Sequence, residues 1–351
     1  MDKLLINGIG CTTGGAKIVL EELLKSYDYD RKIIVVIPIY KNESPIKISN
    51  TNIKVIKVNH FLFGNYGRIV LEFIINFYAL SNVNRIKIIN MSNYGLCLFG
   101  KHLLYIHSPH ILDSTIKSSF FYNPQLMVKR EMLKSYIKNA EAICFQTDHM
   151  KDCFQTYLKG KNVKAKILVI RPKPNISIKI ESSRFPSAFE NELFYPSSGF
   201  SHKREDLAIQ SISITPSELN IGLSITATTI DGRYNNTRFL GKLSHNQVLA
   251  FLKDNTKALL FTSERETLGL PLLEALYFGI PAILPNLPYA REIYGKAAIY
   301  FDEPTPESVS KAIVTLFHDY NYYKTVAQLK MRKEWNHRLT WSDHWNYFYS
   351  F

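Results

Sequence analysis

At 351 residues the chain exceeds the size at which one hydrophobic core usually stops growing, and 46% apolar content is enough to build two, so two ordinary domains are expected. The net charge of +13 sits wholly in one half: residues 1–175 hold 25 Lys/Arg against 12 Asp/Glu, and residues 176–351 hold 18 against 18. Such a field favours an anionic partner, whether a phosphorylated substrate, an acidic leaflet or nucleic acid. The four cysteines, Cys11, Cys97, Cys144 and Cys153, lack C-x-x-C or zinc spacing, and no apolar stretch is long enough to span a bilayer. The start, MDKLLINGIGCTTGG, breaks into glycines too early for a signal peptide, so a reduced cytoplasmic protein is expected, soluble or peripheral to a membrane.

In chain order, residues 3–9 form a strand-like apolar run. A glycine-rich turn follows, and then Ala16, Val19, Leu20, Leu23 and Leu24 at helical spacing. Thr12 or Thr13 suits the helix cap, while Gly14 and Gly15 let backbone amides approach a ligand. Gly8, Gly10 and Gly14 read G-x-G-x-x-x-G, one residue longer than the dinucleotide fingerprint. After the next strand, 33–39, Tyr40 and Lys41 stand where an NAD site wants an acid. Asp28-Tyr29-Asp30 is a D-x-D motif, but it follows a helix end on the side of a sheet away from ligands, which predicts a solvated turn. Strands are predicted at 53–58 and 85–90 around an apolar helix at 66–80, read as core, with a lipid-facing amphipathic helix as the alternative.

Residues 103–110, LLYIHSPH, form a strand ending in a polar turn with two histidines; a metal is not implied, because no acid or cysteine completes a ligand set. The helix at 124–140 carries Lys129, Arg130, Lys134 and Lys138, either a solvated face or one drawn to anionic lipid. A strand at 142–146, a helix at 148–158 and a strand at 167–170 complete the predicted first domain, residues 1–170. Arg171-Pro172-Lys173-Pro174-Asn175 then forms a stiff connection within a hinge at 171–176.

The second domain is predicted over 177–334. A strand at 193–195 leads through Pro196-Ser197-Ser198-Gly199-Phe200-Ser201-His202-Lys203-Arg204 to a helix at 206–214. A strand at 221–228, the segment 237–241 and a polar helix at 246–254 precede the buried strand 258–262. Then comes ETLGLPLLE. Pro271 suits a first helical position and Gly279 a left-handed stop, so Glu274 is expected in the helix's first turn, leaning back toward the loop that holds Glu266. Two acids thus share a crevice at a strand's carboxyl end, where open α/β sheets bind ligands. An anionic ligand beside them would need a cation and a helix N-terminus, and Lys203 supplies the cation. Residues 335–351 form an aromatic tail with Trp335, Trp341 and Trp345.

Glu266, Gly269, Leu270, Pro271, Leu273 and Glu274 resemble the donor-site signature of retaining family 4 glycosyltransferases. That signature has two glutamates around a Gly-Leu-Pro core, with Leu268 here where an aromatic often stands. The resemblance covers most of the chain, most strongly 194–313. It implies the GT-B fold, two Rossmann-like α/β domains whose parallel sheets face a cleft, with the C-terminal helix returning to the first. It also implies residue roles. Gly14 and Gly15 would lie beside the donor diphosphate and acceptor, and His107, with His110 as the fallback, near the sugar. Lys203, Leu268, Gly269 and Leu270 would bind the diphosphate side, Glu266 the sugar hydroxyls and Glu274 the ribose. Where the family has an Arg, the chain has Ser197, and either Arg204 or Arg265 is the candidate replacement.

The expected reaction moves a sugar from a UDP- or GDP-linked donor to a glycan or lipid-linked glycan in surface polysaccharide assembly, with no metal or cofactor and no nucleic acid. The competing readings are a sugar-nucleotide epimerase or hydrolase, an NADP-dependent oxidoreductase at Gly8–Gly14, and a nucleic-acid-binding module.

Overall fold

The computed structural model describes residues 3–12, 14–39, 46, 48–59, 67–81, 86–113, 123–174, 176, 180, 182–197, 199–227 and 234–351. Thr13, Tyr40, Lys41, Tyr66, Arg85, Asn175, Ser198 and Thr228, each used in the sequence reading, lie outside them. The chain divides into two units, Met1–Lys173 with Leu339–Phe351, and Pro174–Arg338.

The first unit holds β1 (Lys3–Asn7), β2 (Ile33–Pro38), β3 (Ile53–Val58), β4 (Ile86–Asn90), β5 (Lys101–Ile106), β6 (Ala142–Phe145) and β7 (Lys166–Val169). Every pairing is parallel and the order is β3-β2-β1-β4-β5-β6-β7. The strands are apolar on both sides because helices cover both faces. Alternate residues Leu4, Ile6, Val35, Ile37, Leu103 and Tyr105 pack with Val19, Leu20 and Leu23 of α1 (Gly14–Lys25). Leu5, Val36 and Ile88 pack on the other face with Leu71, Ile75 and Ala79 of α2 (Gly67–Leu80). On that second face too, Leu104, Ile106, Ile143 and Phe145 meet α3 (Pro124–Asn139) and α4 (Asp148–Leu158).

Burial of α2 is one-sided: Leu71, Ile75 and Ala79 pack as core, as its sequence reading has it, while the far side is open. Its two charged residues turn inward, Glu72 into the protein and Arg68 onto the carbonyls of Ser92 and Tyr94. The outward side is left apolar, with Phe73 43%, Ile74 55%, Phe77 65%, Tyr78 38% and Leu80 46% exposed. Half of the basic set on α3 also turns inward: Lys129 lies over the Tyr94 ring and Arg130 donates to the carbonyl of Ile111, while Lys134 and Lys138 stay exposed.

The second unit repeats the plan with β8 (Asn191–Tyr195), β9 (Ile221–Ile225), β10 (Thr237–Phe239), β11 (Ala258–Leu260), β12 (Ala282–Pro285) and β13 (Ala298–Phe301), all parallel in the order β10-β9-β8-β11-β12-β13. Its helices are α5 (Glu205–Ser213), α6 (His245–Asp254), α7 (Leu270–Tyr277), α8 (Pro288–Tyr294), α9 (Pro306–His318) and α10 (Tyr320–His337). Trp335, grouped with the tail by sequence, belongs to α10, its ring tilted at 49° to that of Tyr277 with centroids 4.6 Å apart. From Leu339 the chain rejoins the first unit through backbone bonds to Arg171 and Lys173, and α11 (Trp341–Ser350) buries Trp345 and Phe348 beside α1.

Candidate active site

In each sheet the chain order reverses beside the first strand, and the loops leaving the two central strands there diverge to open a crevice. In the second unit these strands are β8 and β11. Their loops, 196–204 and 261–269, carry Lys203 and Glu266.

The two loops are stitched together by their backbones. Tyr195 and Thr262 both direct hydroxyls at the carbonyl of Lys203, Thr262 also lies 2.8 Å from the carbonyl of Arg204, and the Glu264 amide donates to the carbonyl of His202 at 2.9 Å. Tyr289 of α8 holds the carbonyl of Ser263. The framework brings the Lys203 ammonium into an ion pair with Glu266 Oε1 and places it 5.0 Å from the Phe261 ring centroid. Both side chains of the pair are nearly buried, 11% and 13% exposed, so the charges interact in a poorly screened setting.

Glu274 follows on α7, the helix that the Glu266 loop leads into. The structure corrects its place in the helix: α7 begins at Leu270, with Gly269 as a left-handed N-cap at φ 60°, and no acid occupies the first turn. Starting the helix one residue before Pro271 moves Glu274 into the second turn. Its side chain is 4% exposed and accepts from His245 Nε2 at 2.7 Å. Leu268 is buried in the hydrophobic core, so its backbone alone is offered at the loop.

Ser197, Arg204 and Arg265, the positions weighed for the family's arginine, are each placed by the loops. Ser197 donates its hydroxyl to Glu205, which also accepts from the Gly199 amide at 2.9 Å. Arg204 takes a left-handed φ of 51° at the cap of α5, and its guanidinium binds Glu264 at 2.8 Å and Asp206 at 3.4 Å, contacts that raise its pKa. Arg265 is half-buried on the Glu266 loop.

In the first unit the corresponding loops follow β1 and β4. Gly14, at φ 58°, and Gly15 lie exposed at the start of α1, with open space where a Cβ would project. Gly8 and Gly10 have a packing reason: a Cβ would come within 2.6 Å of Leu20 and 2.8 Å of Ser92. His107 follows β5, its amide held by Asn93 Oδ1 at 2.6 Å. Among the described residues neither of its buried ring nitrogens has a hydrogen-bond partner, and burial, aided by the charge of Arg68, lowers its pKa to about 4. A neutral ring with two such positions can receive a hydroxyl. His110 lies on the next turn, Pro109–Ile111. The Asp28–Asp30 segment is a turn after α1, where Tyr29 binds Asn346, and no metal-holding cluster of acids, His or Cys occurs among the described residues.

Sequence reasoning missed His245 and the inward Arg68. A histidine directly after Ser244, at the head of a capping box, is an ordinary helix start in sequence, and only the fold shows what it faces.

Comparison with known proteins places this geometry. Residues 232–335 match the family described as Glycosyl transferases group 1. The serotype-specific mannosyltransferase WbdA of Escherichia coli is 37% identical over 68 residues, 19% of this chain and 8% of that protein, so the chain spans a small part of the curated relative it matches. Among solved structures, sucrose-phosphate synthase from Thermosynechococcus elongatus superposes with a TM-score of 0.73 at 12% identity, covering 98% of this chain and 96% of that one. WaaG, a glycosyltransferase involved in lipopolysaccharide biosynthesis, gives 0.68 at 15% identity over 94% of both chains. Anabaena HepE, solved with UDP and glucose, gives 0.64 at 13% identity over 95% and 94%. The two parallel-sheet units therefore have the GT-B architecture, and the stretch similar to the group 1 glycosyl transferases lies in the second.

Proposed function

We propose that the protein is a retaining glycosyltransferase that moves a sugar from a nucleoside-diphosphate donor to a glycan or lipid-linked glycan during surface polysaccharide or lipopolysaccharide assembly. The observation that carries this reading is the meeting of Lys203 and Glu266 at the β8/β11 reversal, on the loop that leads into α7. The WbdA match and the UDP and glucose bound by HepE favour the same chemistry.

In this scheme the donor diphosphate shares the Lys203 ammonium with Glu266, and the ammonium with the amide end of α7 stabilises charge developing on the leaving group. Lys203 engages Oε1 of Glu266, leaving Oε2 to accept a sugar hydroxyl, while Glu274 accepts from the ribose. His107 orients the sugar or the acceptor. The bond from the anomeric carbon to the leaving phosphate breaks, the acceptor oxygen attacks on the same face, and the phosphate takes the acceptor's proton, which retains configuration without an enzymic nucleophile. Lys203 and the helix end supply the positive charge, so the scheme uses no metal or cofactor. The outward apolar side of α2, on the same sheet face as Lys134 and Lys138 of α3 in a basic unit, suits contact with an anionic leaflet that presents a lipid-linked acceptor.

The test is thermal stabilisation by UDP, GDP and ADP, followed by transfer assays with the matching donors. A nucleotide at a hundred times its Kd adds about 2.7 kcal/mol. Lys203→Ala should lower kcat/KM about 100-fold or more, the order seen on removing a group that stabilises transition-state charge. Unaltered transfer by Lys203→Ala, or product of inverted configuration, would overturn the reading.

A further inference from the structure

We infer that His245 is a positioning residue for the nucleotide: it holds the Glu274 carboxylate in the one orientation that receives the ribose hydroxyls. This rests on the proposed donor site and adds a residue to it.

The geometry comes from two helix ends. The capping box of Ser244 and Gln247 fixes the start of α6, with the Ser244 amide bound to Gln247 Oε1 at 2.8 Å. Leu249, Phe251 and Leu252 are buried in the core and hold the helix's orientation. His245, the first helical residue, reaches α7 from there. On α7, Leu272, Leu273, Ala275 and Leu276 are core, so Glu274 is a charged residue set among apolar neighbours, with its side chain 4% exposed. An ionised carboxylate so placed needs donors. His245 Nε2, at 2.7 Å from Oε1, is the donor the fold provides, and its ring is 30% exposed, at the boundary between the buried acid and solvent. With Oε1 engaged, rotation of the carboxylate is blocked and Oε2 remains for a ligand hydroxyl. Without His245 the carboxylate loses the contact that orients it, and its Oε2 no longer faces one direction.

The experiment measures binding of UDP, GDP and ADP, and of their 2′-deoxy and 3′-deoxy forms, to wild type, His245→Ala, His245→Gln and Glu274→Ala by calorimetry. His245→Ala should weaken the preferred nucleotide about 10- to 100-fold, the loss expected for one hydrogen bond to a charged group. It should also narrow the preference for ribose over the deoxy sugar. His245→Gln, whose Nε2 reaches the same place, should recover most of both. In transfer assays the change should fall on the donor KM, with kcat at saturating donor within about twofold. If His245→Ala binds and discriminates as wild type while Glu274→Ala does not, the inference is wrong and the donor site stands. If Glu274→Ala also binds as wild type, the donor-site reading itself is wrong. A His245→Ala defect that His245→Gln does not relieve, or that weakens ribose and deoxy forms equally, would mean helix packing and not carboxylate orientation.

Discussion

His102, His107 and His344 share one condition. Each is buried in the first unit, and loss of solvation lowers each pKa from 6.5 to about 4, despite the Phe99 carbonyl bound to His102 and the Thr340 carbonyl bound to His344. Between these values the unfolded chain takes up protons that the folded chain refuses. The stabilisation is therefore complete above pH 6.5 and is lost as pH falls toward 4, by on the order of 3 kcal/mol per histidine. Glu72 opposes them: its buried carboxyl has a raised pKa, so the folded form holds that proton more tightly and gains stability as pH falls through it. With three histidines against one acid, the thermal midpoint should drop several degrees between pH 7 and pH 5. A midpoint that is flat or rising over that interval would contradict the burial argument.

At the scale of an element, α2 shows how a helix can be core and surface at once. Its sequence, GRIVLEFIINFYAL, is apolar almost all round, so composition does not say which side is covered. The sheet takes Leu71, Ile75 and Ala79, the two charged residues turn to internal partners, and Phe73, Ile74, Phe77 and Tyr78 remain outside. Because Lys129 and Arg130 of α3 also fold back, the apolar side should contribute more to membrane contact than the basic helix does. The double variant Ile74→Ser, Phe77→Ser should cut co-flotation with phosphatidylglycerol vesicles about tenfold or more. Lys134→Gln should reduce it about twofold, near the 1 kcal/mol or less carried by one partly paired surface charge. Flotation indifferent to the double variant would remove lipid as the partner of this face.

At the scale of the whole molecule, the first unit is completed by the last residues of the chain. Trp345 is fully buried against α1, its indole nitrogen 3.2 Å from the carbonyl of Leu23 and 3.1 Å from Ser26 Oγ, and Tyr349 meets Tyr27 hydroxyl to hydroxyl at 2.7 Å. These contacts close a loop of more than three hundred residues, a connection of high closure entropy that must be offset by burial. Trp345→Ala should cost about 3–5 kcal/mol, the usual range for emptying a buried aromatic site. Denaturant unfolding followed by fluorescence reads this directly. A loss under about 1 kcal/mol would mean that α11 is not part of that core.

Much of this was legible in the chain alone, for a local reason. Strands β1 to β9 and the paired acids of ETLGLPLLE announce themselves through apolar runs, glycines and helical spacing, all set by neighbours within a few residues. The GT-B architecture implied by the resemblance of ETLGLPLLE to a glycosyltransferase signature matches the observed sheets. Side-chain direction was not legible. That Arg130 turns inward, that Glu274 falls in the second turn of its helix, and that Trp335 belongs to α10 depend on what packs against each one. Nor does spacing show that Lys203 meets Glu266 across 63 residues, or His245 meets Glu274 across 29. Those meetings follow from strand order and from the crossing of α6 on α7, which are set by non-local burial and pairing. Local sequence determined which elements form and which chemistry they carry, and tertiary packing alone decided which of those groups face one another.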